Sequence, residues 1–388
     1  MADRPGNSMP ECSPGPTFFK CLGYFPQRGA QRAFNAGAQS RREAGGGFAG
    51  AGLRFDPALT IETADLAALP AAPASVLAGD GRGRYTPGFA AGLAIRLGGT
   101  IVIDTFGSVA QMRQARELIE AEFKRHDYAF VINTHDHIEH LGGNGAFPNG
   151  WIIARQGIAQ GLANIRNESP GYIANAEKNI ARLEQKLGTL PPGSPERDDT
   201  TGQIAVQRAF VDQVRAGCVP PNVTFGDRMT LDLGDRTVVL ISVGKGHSYA
   251  DTFVYVPEDG VLPTGGRGHL RMVPPGVGDL AETADFTRLI AVLSEFVDSD
   301  RELRHIISGH MDPVTKADLK FIRDYYQAIL EGLRQAQAGG QTLEQAQGAS
   351  SLAAKFRDWP RLANRTDAMV KQRERNLQLL WTMLGRVR

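Results

Sequence analysis

The stretch "YAFVINTHDHIEHLGGN", residues 128–144, constrains this chain more than any other. A run of apolar and β-favouring residues delivers the backbone straight into His135, His137 and His140, and a Gly-Gly pair follows at once. The apolar run reads as a buried strand. In α/β sheets, functional loops gather beyond the carboxyl ends of strands. Three imidazoles within six residues, placed there, are the signature of a transition-metal site. The spacing differs from H-E-x-x-H, which excludes a helical zinc-protease motif.

Two of the other five histidines sit in the same way. His247 follows the apolar run of "VVLISVGKGH", and His310 follows that of "RHIISGH". Strand-to-loop placement of five histidines argues that they converge on one rim. His126 and His305 lie beside strands rather than after them and read as structural. Imidazole suits zinc, and with carboxylate company it also suits iron or manganese.

The surrounding pattern alternates strand and helix, which predicts an α/β domain. "LAIRLGGTIVIDTFGS" predicts two strands about a Gly98-Gly99 turn. "VAQMRQARELIEAEFKR" has helical spacing, with Met112, Ala115, Leu118, Ile119 and Phe123 on one side. Residues 157–216 depart from the rhythm and predict an inserted helical hairpin, "GYIANAEKNIARLEQKL" and "QIAVQRAFVDQVRA", around a loop "GTLPPGSPERDDTTG". "VTFGDRMTLDLGDRTVVLISVG" predicts a β-hairpin with Met229, Leu231 and Leu233 on one face. "DTFVYVPEDGVLPTGG" predicts strand, turn, strand, and "TADFTRLIAVLSEF" an amphipathic helix. Thr315 and Asp318 stand in capping-box spacing before a helix whose apolar face is Leu319, Ile322, Tyr326, Ile329 and Leu333. A short helix after Thr342 and a last helix carrying Val370, Leu377, Leu380, Trp381 and Leu384 follow.

Composition bounds the rest. Lys+Arg (43) and Asp+Glu (42) nearly cancel, so no nucleic-acid surface or polybasic membrane patch is expected. Apolar runs fall short of the ~18 residues that span a bilayer. Three scattered cysteines, Cys12, Cys21 and Cys218, read as free thiols. Residues 1–52, rich in Gly, Pro, Ser and Arg, lack the apolar core of a secretory signal and read as disordered. A cytoplasmic protein is the default expectation. The expected domains are that segment, an α/β domain over 53–346 with the insertion at 157–216, and a helical extension over 347–388 packed on it.

Five blocks in order, "IVIDTFGS", "NTHDHIEHLGGN", "GKGHSYADTFVYVPEDGVLPTGG", "IISGHMDPV" and the helices after His310, resemble the metallo-β-lactamase-fold superfamily of metal-dependent hydrolases over about 92–346. The resemblance implies an αβ/βα four-layer sandwich. It also implies a first metal held by His135, His137 and His247, and a second by Glu139, His140 and His310. Asp104 would support the site, or serve only as a strand-end turn residue. Two positions depart from the family pattern: Glu139 stands where aspartate is usual, and Gly266 stands where a bridging aspartate is usual. The expectation is therefore one tightly bound zinc, with a second site weaker or absent; iron and manganese are the other candidates. His269, three residues past Gly266, either joins the coordination shell in place of that aspartate or stands behind it, facing substrate. Glu139 is either a ligand or a general base. Asp136 and Asp251 would each orient a ligand imidazole or be solvated loop residues.

The implied chemistry is hydrolysis by water activated at a metal. The expected substrate is a small, fairly apolar ester-like, lactone or activated aryl (ether or halide) molecule, with an oligomer possible. Phe147, Trp151, Tyr172, Tyr249, Leu270 and Met272 are candidates for an apolar pocket or, by default, for the core. The inserted hairpin would roof the cleft or make a subunit contact. A degenerate relative that binds a ligand or partner without catalysis is the alternative, and the fold also hosts iron enzymes acting on sulfur or oxygen.

Overall fold

The structure, a computed structural model, describes residues 76–77, 93–96, 100–124, 126–233, 236–266, 286–309, 315–348 and 367–386. The N-terminal segment 1–52, both glycine-containing turns (98–99 and 234–235), Cys12, Cys21, His269, Leu270, Met272 and His310 lie outside the described residues.

Alternation along the strands builds the layers. Strands β1 (Val76–Leu77), β2 (Leu93–Arg96), β3 (Thr100–Ile103), β4 (Tyr128–Asn133), β5 (Trp151–Arg155) and β6 (Val223–Phe225) form one sheet in that order. β1–β2 and β2–β3 pair antiparallel, and β3 through β6 run parallel. Ile101 and Ile103 of β3 and Phe130 and Ile132 of β4 point to one face. Val102 and Val131 point to the other, where they meet Met112 and Ile119 of helix α1 (Val109–Phe123). Period-two side-chain direction is what lets one strand feed two cores.

The inner face packs on a second set of strands. β7 (Arg228–Asp232), β8 (Thr237–Ser242) and β9 (Thr252–Tyr255) pair antiparallel, so the expected hairpin is present. β10 (Val261–Gly265) pairs parallel with β11 (His305–Ser308), and a bridge between Val256 and Val261 joins the two groups. Leu231, Leu233, Val238, Leu240, Val254 and Val261 meet the inner face of the first sheet. Each fully buried side chain of this size contributes about 1.5–3 kcal/mol. The outer face of this set, with Ile241, Phe253 and Tyr255, is covered by α5 (Phe286–Val297), α6 (Lys316–Ala338), the short α7 (Leu343–Gly348), which contributes Ala346, and α8 (Asp367–Arg386), which contributes Leu377, Leu380 and Leu384. Helix, sheet, sheet, helix is the expected four-layer sandwich. Thr315 and Asp318 make the reciprocal capping box at the start of α6.

The insertion differs from expectation in its joints. Helix α3 (Ile158–Thr189) is continuous through Pro170, whereas the sequence reading starts a helix after that proline. Pro170 supplies no N–H to the Arg166 carbonyl, four residues back. The Ser169 hydroxyl donates to that carbonyl instead, at 2.8 Å. Helix α4 (Pro195–Ala216) begins inside the expected loop. Ser194 caps it, Pro195 opens it, and Glu196 and Asp198 occupy its first turn, which are all N-terminal helix signals.

Candidate metal centre

The carboxyl end of β4 places the site. Asn133 ends the strand, and His135, Asp136 and His137 turn into a single helical turn, α2 (Ile138–Leu141). Gly143 lets this segment press against the turn after β3, since a Cβ there would stand 1.8 Å from the Thr105 carbonyl oxygen. Asn133 and Asn144 exchange amide hydrogen bonds of 3.0 and 2.9 Å, and Asn133 also donates to the His140 carbonyl.

Asp104 lies beneath the cluster in a left-handed conformation (φ 64°), which is uncommon for a residue other than glycine. Its carboxylate accepts the Thr134 N–H at 2.8 Å and the Thr134 hydroxyl at 2.7 Å, and it lies 2.7 Å from His140 Nδ1. Of the two readings of Asp104, the supporting role is therefore the one observed. Thr134 gives its single hydroxyl proton to Asp104, so its oxygen accepts from His135 Nδ1, 3.0 Å away. This network sets both tautomers: Nδ1 carries the proton in His135 and His140, and Nε2 offers a lone pair. Burial pushes the Asp104 carboxyl up to about 7, against the lowering effect of the Thr134 bonds.

His247 arrives from the loop between β8 and β9. Asp251 shapes that loop, accepting the His247 N–H at 2.9 Å, the Ser248 N–H at 3.1 Å and the Ser248 hydroxyl at 2.7 Å. Asp136 accepts the Ala250 N–H at 3.1 Å. Both aspartates are buried, which overturns the solvated-loop reading.

Three imidazoles converge. Ring centroids lie 4.7 Å apart for His135 and His137, 4.4 Å for His137 and His247, and 5.0 Å for His135 and His247. One ligand nitrogen from each falls within 4.8 Å of the other two. A second group with the same spacing is Asp104, His135 and His140. Glu139 stands beside His137, its Oε1 3.7 Å from Nδ1. Burial alone would lower the His137 imidazole, but the Glu139 carboxylate, together with the charges of Asp136 and Asp251, more than reverses this and its pKa rises to about 9. Strand β11 leads to His140: a Cβ on Gly309, one residue before His310, would be 3.0 Å from His140 Cε1.

Gly266 closes the cradle. A Cβ there would stand 2.4 Å from His247 Nε2 and 2.7 Å from His135 Cε1, so it would fill the space between the two rings. The donor set, three neutral-capable imidazoles around a volume left open by a glycine, fits a zinc-like divalent ion.

Residues placed elsewhere are also informative. Phe147 packs in the core under α1, Trp151 borders the inter-sheet core, and Tyr172 belongs to the core of the insertion. The Tyr249 hydroxyl accepts from Asn164 of α3, so the insertion contacts the His247 loop. His126 pairs with Glu120 on the surface. Thr134, which sets the His135 tautomer, was not singled out from sequence. Its signal was position alone, a hydroxyl between a strand end and the first histidine.

A four-layer α/β sandwich with imidazoles gathered beyond its strand ends defines the αβ/βα sandwich class, with a candidate metal site at one rim. Residues 91–265, a little under half of the chain, match the family model of the Metallo-beta-lactamase superfamily. Among solved structures, it is similar to a metallo-beta-lactamase from Pontibacter korlensis (14% identity, 60% of this chain and 87% of that chain covered, TM-score 0.37). It is also similar to the stereoselective inverting sec-alkylsulfatase Pisa1 from Pseudomonas sp. (19% identity, 75% and 47% covered, TM-score 0.45), of which it spans about half. A third is a metallo-beta-lactamase from Erythrobacter litoralis (16% identity, 60% and 82% covered, TM-score 0.36). No curated protein matches the sequence significantly. No helix among the described residues is long and apolar enough to cross a membrane.

Proposed function

We propose that the protein is a metal-dependent hydrolase holding one zinc ion tightly through His135, His137 and His247. The convergence of these three imidazoles from two loops is the observation that carries the reading. In this reading, a bound zinc supplies Lewis-acid activation of water and polarises the substrate oxygen.

The chain's own residues do the rest. Thr134 and Asp104 hold His135 and His140 with Nε2 available. Glu139, beside His137 and largely buried, is suited to take and return a proton at the edge of the cradle. The second site is thin, because Gly266 contributes no oxygen donor. It would draw on His140 with Glu139, His310 or His269, and bind metal more weakly. The substrate class that fits this reading is a small, fairly apolar ester, lactone or activated aryl (ether or halide) molecule.

Gly266 favours one other reading, a relative that binds a ligand without turnover. Metal analysis and a substrate panel of esters, lactones, aryl ethers and alkyl sulfates separate the two. About one equivalent of zinc, with activity lost on chelation and regained on adding metal, supports the hydrolase. Protein that carries metal but turns over none of the panel supports the binding reading. Protein that takes up no metal ends the hydrolase proposal.

A further inference from the structure

We propose that Asp136 is a positioning residue that staples the two histidine-bearing loops to each other; the inference rests on the metal-site reading above. The cradle draws His135 and His137 from one loop and His247 from another, more than a hundred positions later in the chain. Asp136 lies between the first two histidines. Its Oδ1 accepts the N–H of Ala250, three residues beyond His247. The link continues inside the second loop. Ala250 N–H also meets the Ser248 hydroxyl oxygen at 3.1 Å, that hydroxyl donates to Asp251, and Asp251 receives the backbone N–H of His247. A continuous path of hydrogen bonds therefore runs from the carboxylate of Asp136, between His135 and His137, to the backbone of His247.

The other side of Asp136 is fixed by the insertion. Gly161, in the first turn of α3, lies so close that a Cβ there would be 1.9 Å from Asp136 Oδ2 and 2.2 Å from Asp136 Cβ. Helix α3 is thus a wall that holds the carboxylate against Ala250, and the absent side chain at 161 makes room for it. Asp136 is itself buried, so the bond is shielded from competing water. The inserted hairpin, on this view, stiffens the metal cradle from behind.

The test is a metal titration of the chelator-stripped full chain with cobalt(II), followed by its visible spectrum. Asp136→Ala removes the acceptor and should weaken cobalt binding about 10–100-fold, the usual cost of losing a group that orients ligands, and alter the spectrum. Asp136→Asn keeps an acceptor oxygen and should stay within about threefold of wild type with an unchanged spectrum. Asp136→Ala binding cobalt like wild type would overturn the staple, and so would Asp136→Asn failing as badly as Asp136→Ala. A wild-type chain that takes up no cobalt counts against the proposed metal site instead. In that case, or if Asp136→Ala does not fold, amide hydrogen exchange of the wild-type protein decides. The Ala250 amide should exchange as slowly as that of Thr134, and rapid exchange at Ala250 would overturn the staple.

Discussion

Asp104 Oδ2 lies 2.7 Å from His140 Nδ1, and the same carboxylate takes both polar protons of Thr134. One side chain thus orients His140 directly and His135 through Thr134. It does so from a left-handed backbone that asparagine tolerates and alanine does not favour.

Two substitutions at this position should therefore differ. Asp104→Ala leaves the Thr134 N–H and His140 Nδ1 without their acceptor in a buried site, at about 1–3 kcal/mol per group. It should lower the melting temperature clearly and reduce metal content. Asp104→Asn keeps one acceptor oxygen and the backbone preference, so its melting temperature should fall less. Thermal melts and metal analysis of both variants check this; equal losses would show that the carboxylate does not act through these bonds.

Gly266 leads to a second expectation. A Cβ at this position would fall 2.4 Å from His247 Nε2, and backbone and ring cannot both yield without opening the cradle. Gly266→Ala should lower zinc content below one equivalent while the melting temperature of the metal-free protein moves little. Gly266→Asp, which restores the family's usual residue, should bind less metal rather than a second ion. Metal analysis after dialysis reads both, and two equivalents in Gly266→Asp would refute the argument.

What the sequence disclosed, and what it hid, follows from how local the signals are. The four-layer architecture was legible because Ile101, Val102 and Ile103 alternate between two cores, and because Thr315 and Asp318 mark a helix start within four residues. The convergence of His135, His137 and His247 was legible because each follows an apolar strand. The approach of Glu139 to His137, 3.7 Å between Oε1 and Nδ1, was not, since it depends on how the single turn of α2 is wound. Nor was the continuity of α3, since Pro170 normally marks a boundary and only the Ser169 hydroxyl shows how the turn is closed. Close approaches such as Gly161 on Asp136 join residues far apart in the chain, and no periodicity encodes them.

Pro170 offers a test of the insertion alone. Proline within a helix costs up to about 3 kcal/mol relative to alanine. Pro170→Ala should raise the melting temperature, and Ser169→Ala, which leaves the Arg166 carbonyl without its donor, should lower it by an amount worth about 1 kcal/mol. In the double variant the serine should matter less, because the backbone N–H gained at position 170 donates to that carbonyl. Additive effects in the double-mutant cycle would show the two residues to be independent.

The pairing of Glu139 with His137 sets a pH dependence. Burial lowers the His137 imidazole, yet the Glu139 carboxylate 3.7 Å away, with Asp136 and Asp251, lifts it to about 9. A group whose folded pKa exceeds its unfolded value, here 6.5, binds its proton more tightly when folded. Its contribution is fully present below about pH 6.5 and is lost as pH rises through about 9. The metal-free protein should therefore lose stability between those values. Glu139→Gln removes the largest of the charges that raise the pKa, leaves burial to oppose Asp136 and Asp251, and should reduce that slope. Metal binding requires the neutral imidazole, so zinc should displace a proton from wild-type His137 at pH 7 and less of one from Glu139→Gln. Melting curves of the chelator-treated proteins from pH 6 to 9, with proton release measured on zinc addition, check both statements. An unchanged slope in Glu139→Gln would assign the high pKa to the neighbouring Asp136 and Asp251 instead.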